Sequence, residues 1–167
     1  RAAIAASRCR GLPNVRVVCD RIEAFPRGER FDVVTVVGVL EYARRFGSAA
    51  DPAQAFLGCV HDLVEDDGTL VLAIENQLGL KYFAGFVEDH TGVPMFGIDE
   101  LYDAATAITF GRQDLENRLR AAGFGTLQLY LPFPDYKLPS TIVTPAGLSD
   151  VTWRPTLASL MAGAVAT

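Results

Sequence analysis

Three places in this chain hold residues suited to chemistry. Glu41-Tyr42 follows the apolar run Phe31–Val37. Glu75-Asn76 follows the run Thr69–Ile74, with Lys81-Tyr82 close behind, and His90 stands in the loop-like stretch EDHTG. Carboxylates, an amide, an ammonium and a phenol can together bind and orient hydroxyl groups. A histidine, which titrates near neutral pH, can take a proton from one of them. His90 is therefore either a general base or a solvated loop residue. Glu41 and Tyr42 either face a ligand or belong to an ordinary loop. Glu75, Asn76, Lys81 and Tyr82 either bind ligand hydroxyls or anchor the segment that follows. Tyr136 and Lys137, in a turn near the end, read as structural or rim residues. Cys9, Cys19 and Cys59 form no C-x-x-C pair, and Cys59 and His61 are two apart on a predicted helix, pointing to different faces, so no metal centre is expected.

The elements that would hold these residues follow from the hydrophobic pattern. Phe31–Val37, FDVVTVV, is β-branched without alternation, which predicts a strand buried on both faces in a parallel sheet. Gly38 ends it. In open α/β sheets ligands bind beyond the carboxyl ends of the strands, so the loop Gly38–Arg45 is the first place to look for a site. A helix over 51–65 opens with Asp51 as N-cap and Pro52 at the first helical position. Phe56, Leu57, Val60, Leu63 and Val64 make its apolar face. Glu65–Gly68 reads as a turn and Thr69–Ile74 as a second buried strand, completing a βαβ unit.

Upstream, residues 2–10 read as a helix stopped at Gly11–Asn14, and Val15–Cys19 as a short strand ending in Asp20. Arg21–Arg30 reads as a loop, with at most one helical turn around Ile22 and Phe25. Downstream, residues 77–108 form a long insertion with short helical stretches at 78–86 and 99–105. Its glycines at 79, 85, 92 and 97 and aromatics at 82, 83, 86 and 96 suggest a cover over the site, the rings either stacking on a flat acceptor or packing onto the sheet. Gly111–Gly123 is a helix. Thr126–Phe133 and Leu138–Thr144 are an antiparallel pair joined at Pro134–Lys137, and 145–167 is a tail or linker with a loosely held helix.

A chain of 167 residues with half of them hydrophobic predicts one domain. A net charge of −5 argues against sequence-independent binding to a nucleic-acid backbone, which needs a basic face. No apolar run reaches the length of a membrane span, the start RAAIAASRCR lacks the sustained apolar core of a signal peptide, and scattered cysteines fit the expectation of reduced thiols in a cytoplasmic protein. The chain opens at Arg1 inside an Ala-rich helical pattern, which predicts a fragment whose N-terminal part is missing.

In this order the segments VRVVCD, FDVVTVVGVLEYA, the 51–65 helix followed by EDDGTLVLAIEN, and ITFGRQDLENRLRAAGF resemble the third to sixth strand regions of class I S-adenosylmethionine-dependent methyltransferases. IENQLGLKYFAG and EDHTG further resemble a bacterial subset linked to surface-polysaccharide assembly. The resemblance covers residues 1–144 and implies a partial methyltransferase domain: α/β, with a Rossmann-like sheet that is mostly parallel, an antiparallel terminal strand pair, and the first two strands missing. It implies S-adenosylmethionine as cofactor and methyl transfer to a small-molecule or glycan acceptor, with further fused domains possible. Asp20 would contact the adenine, Ile22 would flank it or pack in the core, and Gly38, Val39 and Leu40 would border the cofactor on its other side. Glu41 and Tyr42 would face the acceptor or the cofactor's amino-acid end, and Glu75, Asn76, Lys81 and Tyr82 the acceptor.

Displacement at a sulfonium methyl needs in-line positioning and, for some acceptors, a base; His90 and Glu41 are the catalytic candidates. The family's Gly-rich turn after its first strand is absent, so weak cofactor binding by this chain is expected. The competing reading is a non-catalytic methyltransferase-like module within a larger glycan-synthesis protein. A nucleotide-sugar or nicotinamide enzyme is a third option, against which the reversed terminal strand pair argues.

Overall fold

The computed structural model describes residues 1–26 and 28–166. Its centre is a parallel pair, β1 (Phe31–Val37) and β2 (Val64–Ala73), running in continuous register from Val33↔Thr69 to Val37↔Ala73. Three helices lie between or just before them: α1 (Ala2–Arg8), α2 (Ala43–Phe46) and α3 (Pro52–Asp62), the last connecting β1 to β2. The expected start of α3 is borne out: the Asp51 side chain accepts from the Gln54 N–H at 3.1 Å, and Pro52 sits in the first turn. Leu57 and Val60 on its inner face are fully buried and pack with Val36, Leu40 and Phe110.

Several expectations about extent need correction. The helix stops at Asp62, and Glu65–Gly68 is not a separate turn but part of β2. It forms an irregularity in which Phe31 pairs with Val64 and Val33 already with Thr69. Gly68 belongs there because a Cβ would meet the Val64 side chain at 2.9 Å and the Glu65 backbone at 3.0 Å. β1 is not buried on both faces. Val34 and Val36 turn to the core, whereas Val33 (58% exposed) and Val37 (52%) lie open, because no described element packs on that side. Val15–Cys19 has the β-branched composition of a strand but is not one: with no described strand hydrogen-bonded to it, it forms no ladder.

The insertion is tied at its base. Asn76 bridges Phe110 in parallel fashion, Gln77 N–H donates to the Phe110 carbonyl at 3.2 Å, and Ile108 N–H donates to the Glu41 carbonyl at 2.9 Å. Within it α4 (Leu80–Phe83) forms, but 99–105 makes turns, not a helix. α5 (Arg112–Ala121) then packs on α3, with Leu115 and Leu119 against the core. The terminal pair is antiparallel as expected but shorter than its β-rich sequence suggested, β3 (Leu131–Phe133) against β4 (Thr141–Val143). In the tail, α6 (Pro145–Ser149) and α7 (Arg154–Ala166) follow, and α7 touches α4 and β3. The architecture is thus mixed α/β, a two-stranded parallel sheet with a separate antiparallel pair. Among the described residues no helix is long and apolar enough to cross a membrane.

Candidate functional site

Beyond the carboxyl end of β1 the chain turns sharply. Gly38 takes a left-handed conformation (φ 62°) at which a side chain would be strained. A Cβ there would also lie 3.1 Å from the Tyr136 hydroxyl, so glycine lets the β3–β4 connection close onto the strand end. The next residues form a short 3-10 turn, Leu40–Tyr42, which sends Leu40 into the core and Glu41 and Tyr42 toward a cleft of about 390 Å³. Its lining comes from three distant parts of the chain: Gly38, Glu41 and Tyr42 after β1, Asp89 and His90 from the insertion, and Tyr136 and Lys137 from the β3–β4 connection. That volume is in the range of small-molecule sites, roughly 300–1,000 Å³.

A charged network backs the cleft. Glu75, just past β2, is only 6% exposed. The Lys137 ammonium donates to Glu75 Oε1 at 2.8 Å and to Asp89 Oδ2 at 3.0 Å, and Lys81 reaches Asp89 Oδ1 at 3.4 Å. The buried Tyr82 hydroxyl donates to Glu75 Oε2 at 3.4 Å. Burial, then the neighbouring Asp89, push the Glu75 carboxyl above its usual range, offset in part by Lys137. The Glu75 carboxyl, then Lys137 and Lys81, hold Asp89 well below it. Burial works against the Lys137 charge, but Glu75 and Asp89 outweigh it and raise its pKa. Oxygens of Glu75, Asp89 and Asp135 come within 4.8 Å of one another, the spacing of a metal-ligand set. The Lys137 ammonium lies against all three, Asp135 at 4.0 Å, and supplies the positive charge there.

His90 is held on both sides. The Tyr42 hydroxyl lies 3.2 Å from Nδ1, with the two rings edge to face at 5.4 Å. Glu75 Oε2 lies 3.5 Å from Nε2, ion-pairing distance but not a hydrogen bond, and Nε2 has no hydrogen-bond partner among the described residues. A neutral imidazole accepting from Tyr42 at Nδ1 carries its proton on Nε2, facing the carboxylate. Glu41 is 2% exposed, and its Oε2 also has no hydrogen-bond partner among the described residues. Burial and then the Glu41 charge push the Tyr136 phenol up to about 12.

Of the residues singled out from sequence, Gly38, Glu41, Tyr42, Glu75, Lys81, Tyr82 and His90 come together here. Asp20, Ile22, Val39, Leu40 and Asn76 do not line the cleft. Asp20 is exposed, its carboxylate accepting from its own neighbour Arg21 N–H at 2.8 Å. Ile22 packs against the core, Val39 is exposed, Leu40 is a core residue, and Asn76 Oδ1 accepts from Leu78 N–H at 3.1 Å in a turn. Phe83, Phe86 and Phe96 also stay outside the cleft lining; Phe96 packs on Tyr102 with ring centres 5.7 Å apart. The site residues missed from sequence are Asp89, Tyr136 and Lys137. For Asp89 a signal existed, since it directly precedes the histidine in EDHTG.

The described residues fit the S-adenosylmethionine expectation at one edge only. Gly38 and Glu41 border the cleft, but Asp20 and Ile22 form no adenosine cradle with them. Compared with known proteins, the chain matches no family model and no curated protein sequence.

Proposed function

We propose that this chain is the acceptor-binding part of an S-adenosylmethionine-dependent methyltransferase acting on a hydroxyl of a small molecule or glycan. On this reading its two strand pairs belong to one Rossmann-like sheet, and the protein works in the cytoplasm on an acceptor other than nucleic acid. The observation that carries the proposal is the convergence of Tyr42, His90 and Glu75 at the carboxyl ends of a parallel strand pair, where α/β folds place ligands. The order of the sequence motifs supplies the donor.

The donor, when bound, supplies an electrophilic methyl group. The chain's residues supply the proton path. Tyr42 takes the acceptor's hydroxyl proton as it passes its own to His90 Nδ1, 3.2 Å away. The imidazolium so formed is stabilised by Glu75 beside Nε2. Lys137 fixes the Glu75 carboxylate, and the insertion that carries His90 covers the site.

A second reading, a methyltransferase-like module that binds without catalysing, is favoured by the exposure of Asp20. One experiment separates the two. The protein carrying this chain is incubated with methyl-labelled S-adenosylmethionine and pooled glycan and small-molecule extracts. Label entering an acceptor, and failing to do so with His90→Ala, supports the enzyme. Cofactor binding without any transfer supports the module, and no cofactor binding at all rejects the proposal.

A further inference from the structure

Glu41 lines the cleft and takes no part in the proton path. It is almost wholly buried, and Oε2 lacks a hydrogen-bond partner among the described residues. A carboxylate shut away from water is costly unless a positive charge or several donors match it. No described cation hydrogen-bonds to Glu41 Oε2. Lys137 is held by Glu75 and Asp89, Lys81 by Asp89, and Arg45 donates to the Ala105 carbonyl at 2.9 Å. Glu41 shares the cleft lining with Tyr42 and Tyr136, whose rings already carry Arg45 at 6.0 Å and Lys137 at 5.4 Å. Its Oε1 and the Tyr136 hydroxyl both border the space beside Gly38 that a Cβ would enter, at 3.6 and 3.1 Å. A buried carboxylate suits an ammonium, which brings both a positive charge and hydrogen-bond donors, better than it suits a neutral hydroxyl.

We infer that the cleft takes an amino sugar whose free ammonium is countered by Glu41 while a neighbouring hydroxyl faces Tyr42. The inference rests on the acceptor reading above and names its substrate class. The test is direct binding to the full chain, by calorimetry or ligand-observed NMR, of glucosamine, glucose and N-acetylglucosamine in the absence of cofactor. Glucosamine is expected to bind about 10-fold or more tightly than the other two, the scale of one charge-assisted hydrogen bond. The preference should collapse in Glu41→Gln and survive in part in Glu41→Asp, with thermal unfolding confirming that both variants fold. The N-acetyl comparison removes the charge from the ligand side and stands even if a variant does not fold. Equal binding of the three sugars, or an undiminished preference in a folded Glu41→Gln, overturns the inference. So does Glu41→Gln weakening S-adenosylmethionine binding while the sugar preference stays intact, which would give Glu41 to the donor. An intact ammonium preference without any methyl transfer would sink the methyltransferase reading and leave the cationic-ligand site standing.

Discussion

Arg118 and Lys137 each join parts of the chain that are far apart in sequence, yet the two networks are finished differently. Arg118 on α5 donates to Asp51 at 2.8 Å and Asp114 at 3.1 Å and lies over the Phe110 ring at 5.0 Å. Its carbonyl accepts from the Gln54 side chain at 3.1 Å. Lys137 also holds two carboxylates, but unpartnered atoms remain around it. Every buried side-chain polar atom without a partner among the described residues belongs to Glu41, Glu88 or His90, which line the cleft or adjoin Asp89 in sequence. Native proteins pair nearly all such groups. The Arg118 clamp therefore reads as structure completed within the chain, and the Lys137 network as structure that a ligand completes.

The largest effect on stability is expected from Lys137→Met, which leaves the buried Glu75 without its cation; with Lys137 itself half exposed, it should cost about 1–2 kcal/mol at neutral pH by urea unfolding. The sign with pH is fixed by Glu75. Its carboxyl is raised in the folded state, so the folded protein binds the extra proton first and stability falls as pH rises above the usual 4.5. The deficit of Lys137→Met should thus shrink on acidification toward that value. A deficit that stays constant with pH would show that Lys137 is not the counter-charge. Next come His90→Ala and Tyr42→Phe, each expected to lower turnover by about 100-fold with stability little changed, read on the acceptor found by labelling. Equal turnover in Tyr42→Phe and wild type would remove Tyr42 from the proton path.

The smallest effect is expected in the clamp. Arg118→Met should cost about 0.5–1 kcal/mol, because Asp51 is half exposed and the pair is screened. Burial works upward on the Asp51 carboxyl, but the Arg118 and Gln54 hydrogen bonds outweigh it and hold its pKa below 3.8. Its contribution is present above that value and lost as pH falls through it, so Arg118→Met should soften the acid limb of the stability curve. An unaltered acid limb would make the clamp ornamental.

Local signals in the sequence reached as far as local physics does. The Asp51-Pro52 start of α3 was legible because a cap and a fixed φ act within one turn. The parallel β1–β2 pair was legible because a helix between two apolar runs leaves few other arrangements. The double burial of β1 was not, since a β-branched run records what a strand can bury and not what packs on it. Val15–Cys19 fails for a related reason: strand composition needs a neighbour. Half of the site was legible because Glu41, Tyr42 and Glu75 follow strand ends. Lys137 was not, because it meets Glu75 across 62 positions and only the antiparallel pair brings it there. Its place in a turn made it look like rim.

The irregularity in β2 has a consequence for how this chain tolerates changes in length. The three-residue slip at Glu65–Gly68 lies at the amino end of the strand, while the ladder from Val33↔Thr69 to Val37↔Ala73 and the Gly38 N–H bond to the Ala73 carbonyl at 3.0 Å are uninterrupted. Residues added or removed at the exposed Asp66-Asp67 step alter the size of the slip and leave the remaining rungs in place. Glu75, two residues beyond the last rung, is positioned by that ladder and not by the link that leads from α3. The bulge works as an expansion joint, separating drift in the connection from the geometry of the cleft.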